Sequence, residues 1–401
     1  MKKYNGLIAL LLIVLLSGSG IAQETGTSDR QFPLLGWYGI PAEHTTEEKY
    51  GELAASGLNI NFPHLPNADA MEKALDIAHK TGVKMIVSCP ELVTETEKTV
   101  RRFMNHPAVL GYYLRDEPNV KDFADLGRRA KVIRSIDKKH FCYVNLFPTY
   151  ANETLLGVKT YREYVQRSIK EIDTKLVTFD HYPVMGDTVR VIREDWYENL
   201  EIISDEATKA SIPFWAFALT VAHDPYPIPT LAELRLQVYS NLAYGAQGIQ
   251  YFTYWTPVSD QWNFHRGPIT VEGKRTEVYD RMKQVNGEIK SLTSVFLDAK
   301  VLSVGHTGSS IPKGTKRLST LPKPIKALDT NGGTALVSVL KNAKKSYLVV
   351  VNKDFKKPLR ITIDTDPTVK RLLKDGSLVS VATYMKTMEV DPGDVAIYAW
   401  N

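Results

Sequence analysis

Leu58-Asn-Ile-Asn-Phe62 is a short run of apolar and β-favouring residues. A helical stretch near Ala70 to Lys80 follows it, Gly82 stops that helix, and Val83-Lys-Met-Ile-Val-Ser88 opens the next run. Strand, polar cap, helix, glycine and strand form the unit that decides the fold, because a helix between two such runs brings the chain back for parallel pairing. Working upstream, Phe32-Pro-Leu-Leu-Gly-Trp-Tyr-Gly39 reads as the first strand, with Thr46 capping a helix over Glu47 to Ser56 and Gly57 as its stop. Working downstream, Val109-Leu-Gly-Tyr-Tyr-Leu, Phe141-Cys-Tyr-Val-Asn-Leu-Phe, Leu176-Val-Thr-Phe-Asp-His-Tyr, Phe214-Trp-Ala-Phe-Ala-Leu-Thr and Gly248-Ile-Gln-Tyr-Phe-Thr-Tyr-Trp are strands four to eight, each separated by a helical stretch.

Eight strand–helix units over residues 31–299 predict a parallel (β/α)8 barrel. A doubly wound open sheet uses the same unit, but it carries a Gly-rich phosphate loop after its first strand. Here Tyr38-Gly39-Ile40-Pro41 stands in that place. From residue 300 to 401 the pattern changes to short alternating runs punctuated by Asn331-Gly-Gly, Asp375-Gly and Asp391-Pro-Gly-Asp, which predicts a small C-terminal antiparallel β-sandwich. No low-complexity linker separates it from the last helix, so it is expected to share a buried interface with the barrel.

Residues 1–22 read as a signal peptide: Lys2 and Lys3 give a basic start, Leu7 to Leu16 an apolar segment, and Gly20-Ile-Ala22 a cleavage site. The apolar run is about ten residues where a membrane span needs about twenty. Export to the periplasm or the medium, with no membrane span after cleavage, is the expectation. Losing Lys2 and Lys3 takes the formal charge from +5 to +3. No Lys/Arg run tracks a phosphate backbone, so nucleic acid is not an expected partner. Two cysteines in 401 residues exclude a disulfide scaffold and a Cys-rich zinc module. Cys89 and Cys142 fall in strand-like runs, as small buried hydrophobes do.

Barrel enzymes do their chemistry at the C-terminal ends of the strands. Those ends are Trp37-Tyr38, Asn61-Phe-Pro-His64, Ser88-Cys-Pro-Glu91, Arg115-Asp-Glu-Pro-Asn119, Asn145, Asp180-His-Tyr-Pro183, Thr220 and Tyr254-Trp-Thr-Pro257. Carboxylates, amides, imidazoles and large rings suit a sugar, whose hydroxyls need hydrogen bonds and whose C–H faces stack on aromatics. No spacing offers a catalytic zinc site and no cofactor is expected.

At Gly111-Tyr-Tyr-Leu-Arg-Asp-Glu-Pro-Asn119 the sequence resembles the retaining glycosidases of the large (β/α)8 clan A. Asn105-His-Pro-Ala-Val-Leu110, Ala243-Tyr-Gly-Ala-Gln-Gly-Ile249 and Tyr251-Phe-Thr-Tyr-Trp255 reinforce the likeness, which is nearest to glycoside hydrolase family 42 β-galactosidases and the agarase-like groups around them. The resemblance implies that Glu117, the Glu before Pro at the end of the fourth strand, is the proton donor, and that the substrate is a polysaccharide or oligosaccharide. It also implies an aromatic floor at the end of the eighth strand, where Trp255 stands.

The residues make their own case for Glu117. Glycoside hydrolysis needs one carboxyl that stays protonated near neutral pH and a second that attacks or activates water. Asp116 raises the pKa of Glu117 if it lies close, and Arg115 lowers it if it points the same way. Strand alternation sends Arg115 and Glu117 to one side and Asp116 to the other. The second carboxylate departs from the clan pattern, because Phe214-Trp-Ala-Phe-Ala-Leu-Thr220 holds no Glu. Asp180, on the sixth strand end, is the favoured replacement, a strand end being a more rigid platform than a loop. Asp224 in the loop after the seventh strand, or another carboxylate such as Glu91 or Asp260, is the alternative. So is a non-hydrolytic glycan-binding protein on a barrel that has lost its nucleophile. Trp37, Asp116, Asn145, His181, Tyr182, Trp255 and Trp262 are the expected substrate contacts, with His64 and His265 as weaker candidates.

Overall fold

The computed structural model describes residues 30–381 and 387–401; the signal peptide read over residues 1–22 lies outside them. Eight parallel strands close on themselves, and each is followed by a helix. The strands are β1 (Leu34–Trp37), β2 (Ile60–Phe62), β3 (Lys84–Val87), β4 (Val109–Asp116), β5 (Phe141–Leu146), β6 (Val177–Phe179), β7 (Phe214–Leu219) and β8 (Ile249–Phe252). The helices are α1 (Glu47–Ala55), α2 (Ala68–Lys80), α3 (Thr96–Phe103), α4 (Val120–Ile136), α5 (Tyr161–Glu171), α6 (Trp196–Ala210), α7 (Leu231–Ala243) and α8 (Glu277–Ser291). The ring closes where Leu34 pairs with Ile249 and Trp37 with Phe252.

Local chemistry sets the turns between these elements. Thr46 caps α1 by accepting from the Lys49 N–H, and Gly57 follows with a φ of +94°, where a side chain would be strained. Asn119 and Asp122 form a reciprocal capping box at the start of α4, two residues beyond Glu117. That box locks the helix directly behind the end of β4. The barrel lumen is filled rather than open: Trp37 packs on Phe62 (ring centroids 4.5 Å apart), Phe217 (5.3 Å) and Tyr143 (5.8 Å). This plug forms the floor of the mouth above it.

The C-terminal strands are β9 (Lys300–His306), β10 (Ile325–Asp329), β11 (Ala335–Asn342), β12 (Lys345–Asn352), β13 (Leu359–Thr365), β14 (Lys370–Leu372), β15 (Leu378–Ser380), β16 (Thr387–Val390) and β17 (Val395–Trp400). They form a six-stranded sheet in the order β9-β11-β12-β17-β14-β15 and a three-stranded sheet β10-β13-β16. Alternation along β11 and β12 divides the large sheet's two faces. Val337, Leu348 and Val350 meet Ile361, Ile363 and Val390 of the small sheet, whereas Leu336, Leu340, Val349 and Val351 join the apolar core of the barrel helices.

Helix α7 is therefore covered on both sides, and every residue from Glu233 to Ala243 is buried. A charged network crosses the junction: Arg235 pairs with Glu288 and lies 3.4 Å from Asp394, Lys374 is 2.5 Å from Asp394, and the Tyr239 hydroxyl donates to Glu288 (2.7 Å). Deleting residues 300–401 exposes an apolar face and strips Arg235 of Asp394. The truncated barrel is expected to be insoluble; a soluble product that melts with the full chain would show the interface to be dispensable.

Candidate active site

Strand β4 departs from regular alternation twice, with register shifts against β3 between Met85 and Ile86 and against β5 between Tyr113 and Arg115. Such bulges re-aim side chains. Leu114 turns out into the core, and Arg115 turns out as well, its Nη2 lying 3.9 Å from Asp122 of the α4 capping box. Glu117 follows with a φ of +42°, a left-handed conformation that costs a glutamate about 1–3 kcal/mol. The result corrects the expectation from alternation: Asp116 and Glu117 both serve the mouth, and Arg115 does not.

Asp116 pairs in register with Asn145 on β5, and Asn145 is the hub of the site. Its Nδ2 donates to Asp116 Oδ1 (3.0 Å) and to Asp180 Oδ1 (2.7 Å), while its Oδ1 lies 3.1 Å from Thr178 Oγ1. One buried amide thus joins the carboxylates of β4 and β6. The Tyr182 side chain favours the ionised form of Asp180, and Asp180 lies near enough for its charge to act on Glu117. Three carboxyls in one apolar-walled depression cannot all ionise freely. Burial, then the charges of Asp180 and Asp116, push Glu117 up to about 9. Burial and the Asp116 charge push Asp180 up to about 7, against the Asn145 bond and the Tyr182 side chain. Solvent reaches Asp116, yet the surrounding protein thins its hydration and pushes it up to about 6. Glu117 is the carboxyl that keeps its proton.

Raised carboxyl pKa values have a consequence for stability. The folded chain holds these protons more tightly than the unfolded chain, so stability falls as pH rises from about 4, the ordinary carboxyl range, through the folded values. Asp180→Asn removes one such group. It is expected to raise the melting temperature at pH 8 and to change it little at pH 4; an equal shift at both pH values would contradict the charge-crowding account.

The other expected contacts are dispersed. Trp37 and Tyr182 lie nearly sealed in the lumen, Tyr182 stacked on Phe252 with centroids 5.5 Å apart. His181 is buried, with Nε2 3.3 Å from Asp195 Oδ1. Trp255 is only 5% exposed and is turned from the mouth: its ring lies 4.7 Å from that of His44, its Nε1 donates to Val271 O (3.3 Å), and a Cβ at Gly273 would come within 3.1 Å of it. Phe252 is the ring that β8 presents to the mouth, between Tyr38 (5.8 Å) and Tyr182. Trp262 stands at the rim, 51% exposed, 5.8 Å from His223. His64 bonds Ser88 Oγ through Nδ1 (2.9 Å). Asp224 is spent on Asn263, accepting from its Nδ2 (3.1 Å), and so ties the loops after β7 and β8 together. Strand β7 holds no Glu, and Thr220, the residue after it, is buried and donates to Thr253 O (2.7 Å).

Sequence reading did not single out Tyr150, Tyr226 and Arg193. Tyr150 and Tyr226 come from the loops after β5 and β7, pack on His181 (5.1 Å) and Tyr182 (5.7 Å), and feel the charge of Asp180. Their aromatic character was visible, but their convergence arises only from the closed ring. Among the described residues no group of His, Cys, Asp and Glu is arranged to hold a metal ion.

The model of the β-galactosidase family, glycoside hydrolase family 42, matches residues 95–292. Among solved structures the chain is similar to the β-galactosidase from Bacillus circulans sp. alkalophilus, at 10% identity and a TM-score of 0.64, covering 92% of this chain and 99% of that one. It is likewise similar to a catalytic mutant of a family 42 β-galactosidase from G. stearothermophilus, at 8% identity and a TM-score of 0.63, covering 92% and 98%. The chain spans 60% of the length of the β-galactosidase from the psychrophilic Marinomonas ef1, over 65% of its own, at 13% identity and a TM-score of 0.48. No curated protein matches the chain. The structural likeness speaks for the fold, and together with the family match it shows the similarity to clan A (β/α)8 glycoside hydrolases that the strand-end motifs implied.

Proposed function

We propose that the protein is an exported glycoside hydrolase that cleaves O-glycosidic bonds of an oligosaccharide or polysaccharide, with Glu117 as proton donor and Asp180 as the second carboxylate. The observation that carries this reading is the convergence of Asp116 and Asp180 on the Asn145 amide at the ends of β4 and β6, at 3.0 and 2.7 Å, with Glu117 the next residue and the more reluctant to ionise. Inverting enzymes keep their carboxyls about 6.5–9.5 Å apart to seat a water, whereas retaining enzymes hold them about 5–5.5 Å apart. A pair near enough for the charge of Asp180 to raise Glu117 supports the closer, retaining spacing. Asp180 then attacks the anomeric carbon as the C–O bond breaks, the Glu117 proton goes to the departing oxygen, and Glu117 in its ionised form takes a proton from the water that releases the sugar. Asn145 and Tyr182 position Asp180 throughout.

One observation favours a second reading, a glycan-binding protein without hydrolysis: β7 holds no Glu, and Thr220 at its end is buried and hydrogen-bonded. A reducing-sugar assay of the purified protein on a polysaccharide panel, with the product anomer read by NMR, separates the two. Hydrolysis with retention supports the Asp180 reading, and binding without release of reducing ends supports the second. The pH profile provides a further check. Activity requires Asp180 ionised and Glu117 protonated, so kcat/KM is expected to rise through about pH 7 and fall through about pH 9. An optimum near pH 5 would assign other groups.

A further inference from the structure

Arg193 brings a guanidinium beside the tyrosines of the β5 and β7 loops, and among the described residues its ion pair is a single long one, to Asp195. Arg193 follows a short hairpin, Val184–Met185 with Val191–Ile192, in the loop after β6. Its Cζ lies 4.0 Å over the ring of Tyr150, and its Nη1 donates to the Tyr226 hydroxyl and to Met185 Sδ, both at 3.2 Å. A phenol and a thioether are weak acceptors for a cation. Among the described residues the carboxylate within 4 Å of Arg193 is Asp195, with Nε to Oδ1 at 3.9 Å, beyond hydrogen bonding. Asp195 is already held by Thr149 Oγ1 (2.7 Å) and faces His181 (3.3 Å). Arg190, in the same hairpin, shows what a satisfied arginine looks like here: its Nη1 reaches both oxygens of Glu233, at 2.7 and 2.6 Å.

The side chain of Arg193 is only 23% exposed, so its charge has lost hydration without gaining a bidentate partner. Of the two tyrosines it touches, Tyr226 packs on Tyr182 (ring centroids 5.7 Å apart) and Tyr150 on His181 (5.1 Å), the two residues that follow Asp180. A sugar held against Glu117 and Asp180 therefore has Arg193 beside it. A neutral ring offers that guanidinium hydroxyls alone. An anionic substituent offers it the planar pair of oxygens it lacks, and offsets the repulsion such a group meets from Asp116 and Asp180.

We propose that Arg193 reads an oxyanion on the substrate, so that the preferred glycan is acidic, carrying a uronate carboxylate or a sulfate ester. This deepens the glycoside hydrolase reading and rests on it. The test is calorimetric binding to the Glu117→Gln variant, which needs no turnover, using methyl galactosides and glucosides, their uronides and their 6-sulfates. At least one acidic series is expected to bind ten-fold or more tightly than its neutral parent, and which series does so identifies carboxylate or sulfate as the source. The advantage should shrink between about 50 and 300 mM salt. Adding Arg193→Gln should bring the ratio of acidic to neutral affinity to about one in a variant that still melts cooperatively, and Arg193→Lys should keep part of the preference. Neutral sugars binding as tightly as acidic ones, or an acid preference that survives Arg193→Gln, would overturn the acidic-glycan inference alone. Failure of every sugar to bind, with no hydrolysis by the wild type, would take it down together with the reading beneath it.

Discussion

Glu117→Gln is expected to lower kcat on natural glycosides by about 10²–10⁴-fold, the range that a positioned general acid supplies. A sugar alkoxide leaves poorly without a proton, and Glu117 is the site carboxyl that still carries one at neutral pH, because burial and two neighbouring carboxylates oppose its ionisation. Gln keeps the shape and removes the transferable proton. Aryl glycosides with acidic phenol leaving groups need little protonation, so on them the loss of bond cleavage should be small, and the remaining deficit should lie in the water step, where Glu117 acts as base. This split by leaving group is a readout that a misfolded variant would not give. Removing a carboxyl with a raised pKa should also leave the variant at least as heat-stable as its parent above neutral pH. Wild-type turnover on a natural glycan would remove Glu117 from the chemistry.

The barrel was legible because parallel strands buried on both faces read as continuous apolar runs, and because caps such as Thr46 and stops such as Gly57 and Gly82 bound the helices between them. Glu117 and Asp180 were legible as strand-end carboxylates for the same reason. What failed to read through was direction. Two register shifts in β4 and a left-handed Glu117 override the alternation that would part Glu117 from Asp116, and neither leaves a composition signal in Tyr-Tyr-Leu-Arg-Asp-Glu. In Tyr251-Phe-Thr-Tyr-Trp255 four of the five residues are aromatic, so which ring faces the mouth depends on where β8 stops. It stops at Phe252, which leaves Trp255 beyond the strand and in the core. Arg193, Tyr150 and Tyr226 lie on three separate loops, and closure of the ring alone brings them together.

Asp180→Ala is expected to lower hydrolysis as far as Glu117→Gln does, because it removes the attacking oxygen and leaves Asn145 Nδ2 aimed at an empty space. Asp224→Ala should cost at most about ten-fold, near 1.4 kcal/mol of transition-state stabilisation, since Asp224 is exposed and occupied with Asn263. The product anomer of the wild type has to be read first, because azide can restore either class of enzyme with the same inverted product. With retention established for the wild type, azide added to Asp180→Ala should restore turnover of an activated glycoside and yield a glycosyl azide of inverted configuration. That outcome places the nucleophile on β6, a strand away from its clan position on β7, and accounts for Thr220 being free to serve as a buried hydrogen-bonding residue. An active Asp180→Ala beside a dead Asp224→Ala would move the nucleophile to the loop. Full activity in both would mean that Glu117 works with a carboxylate other than either.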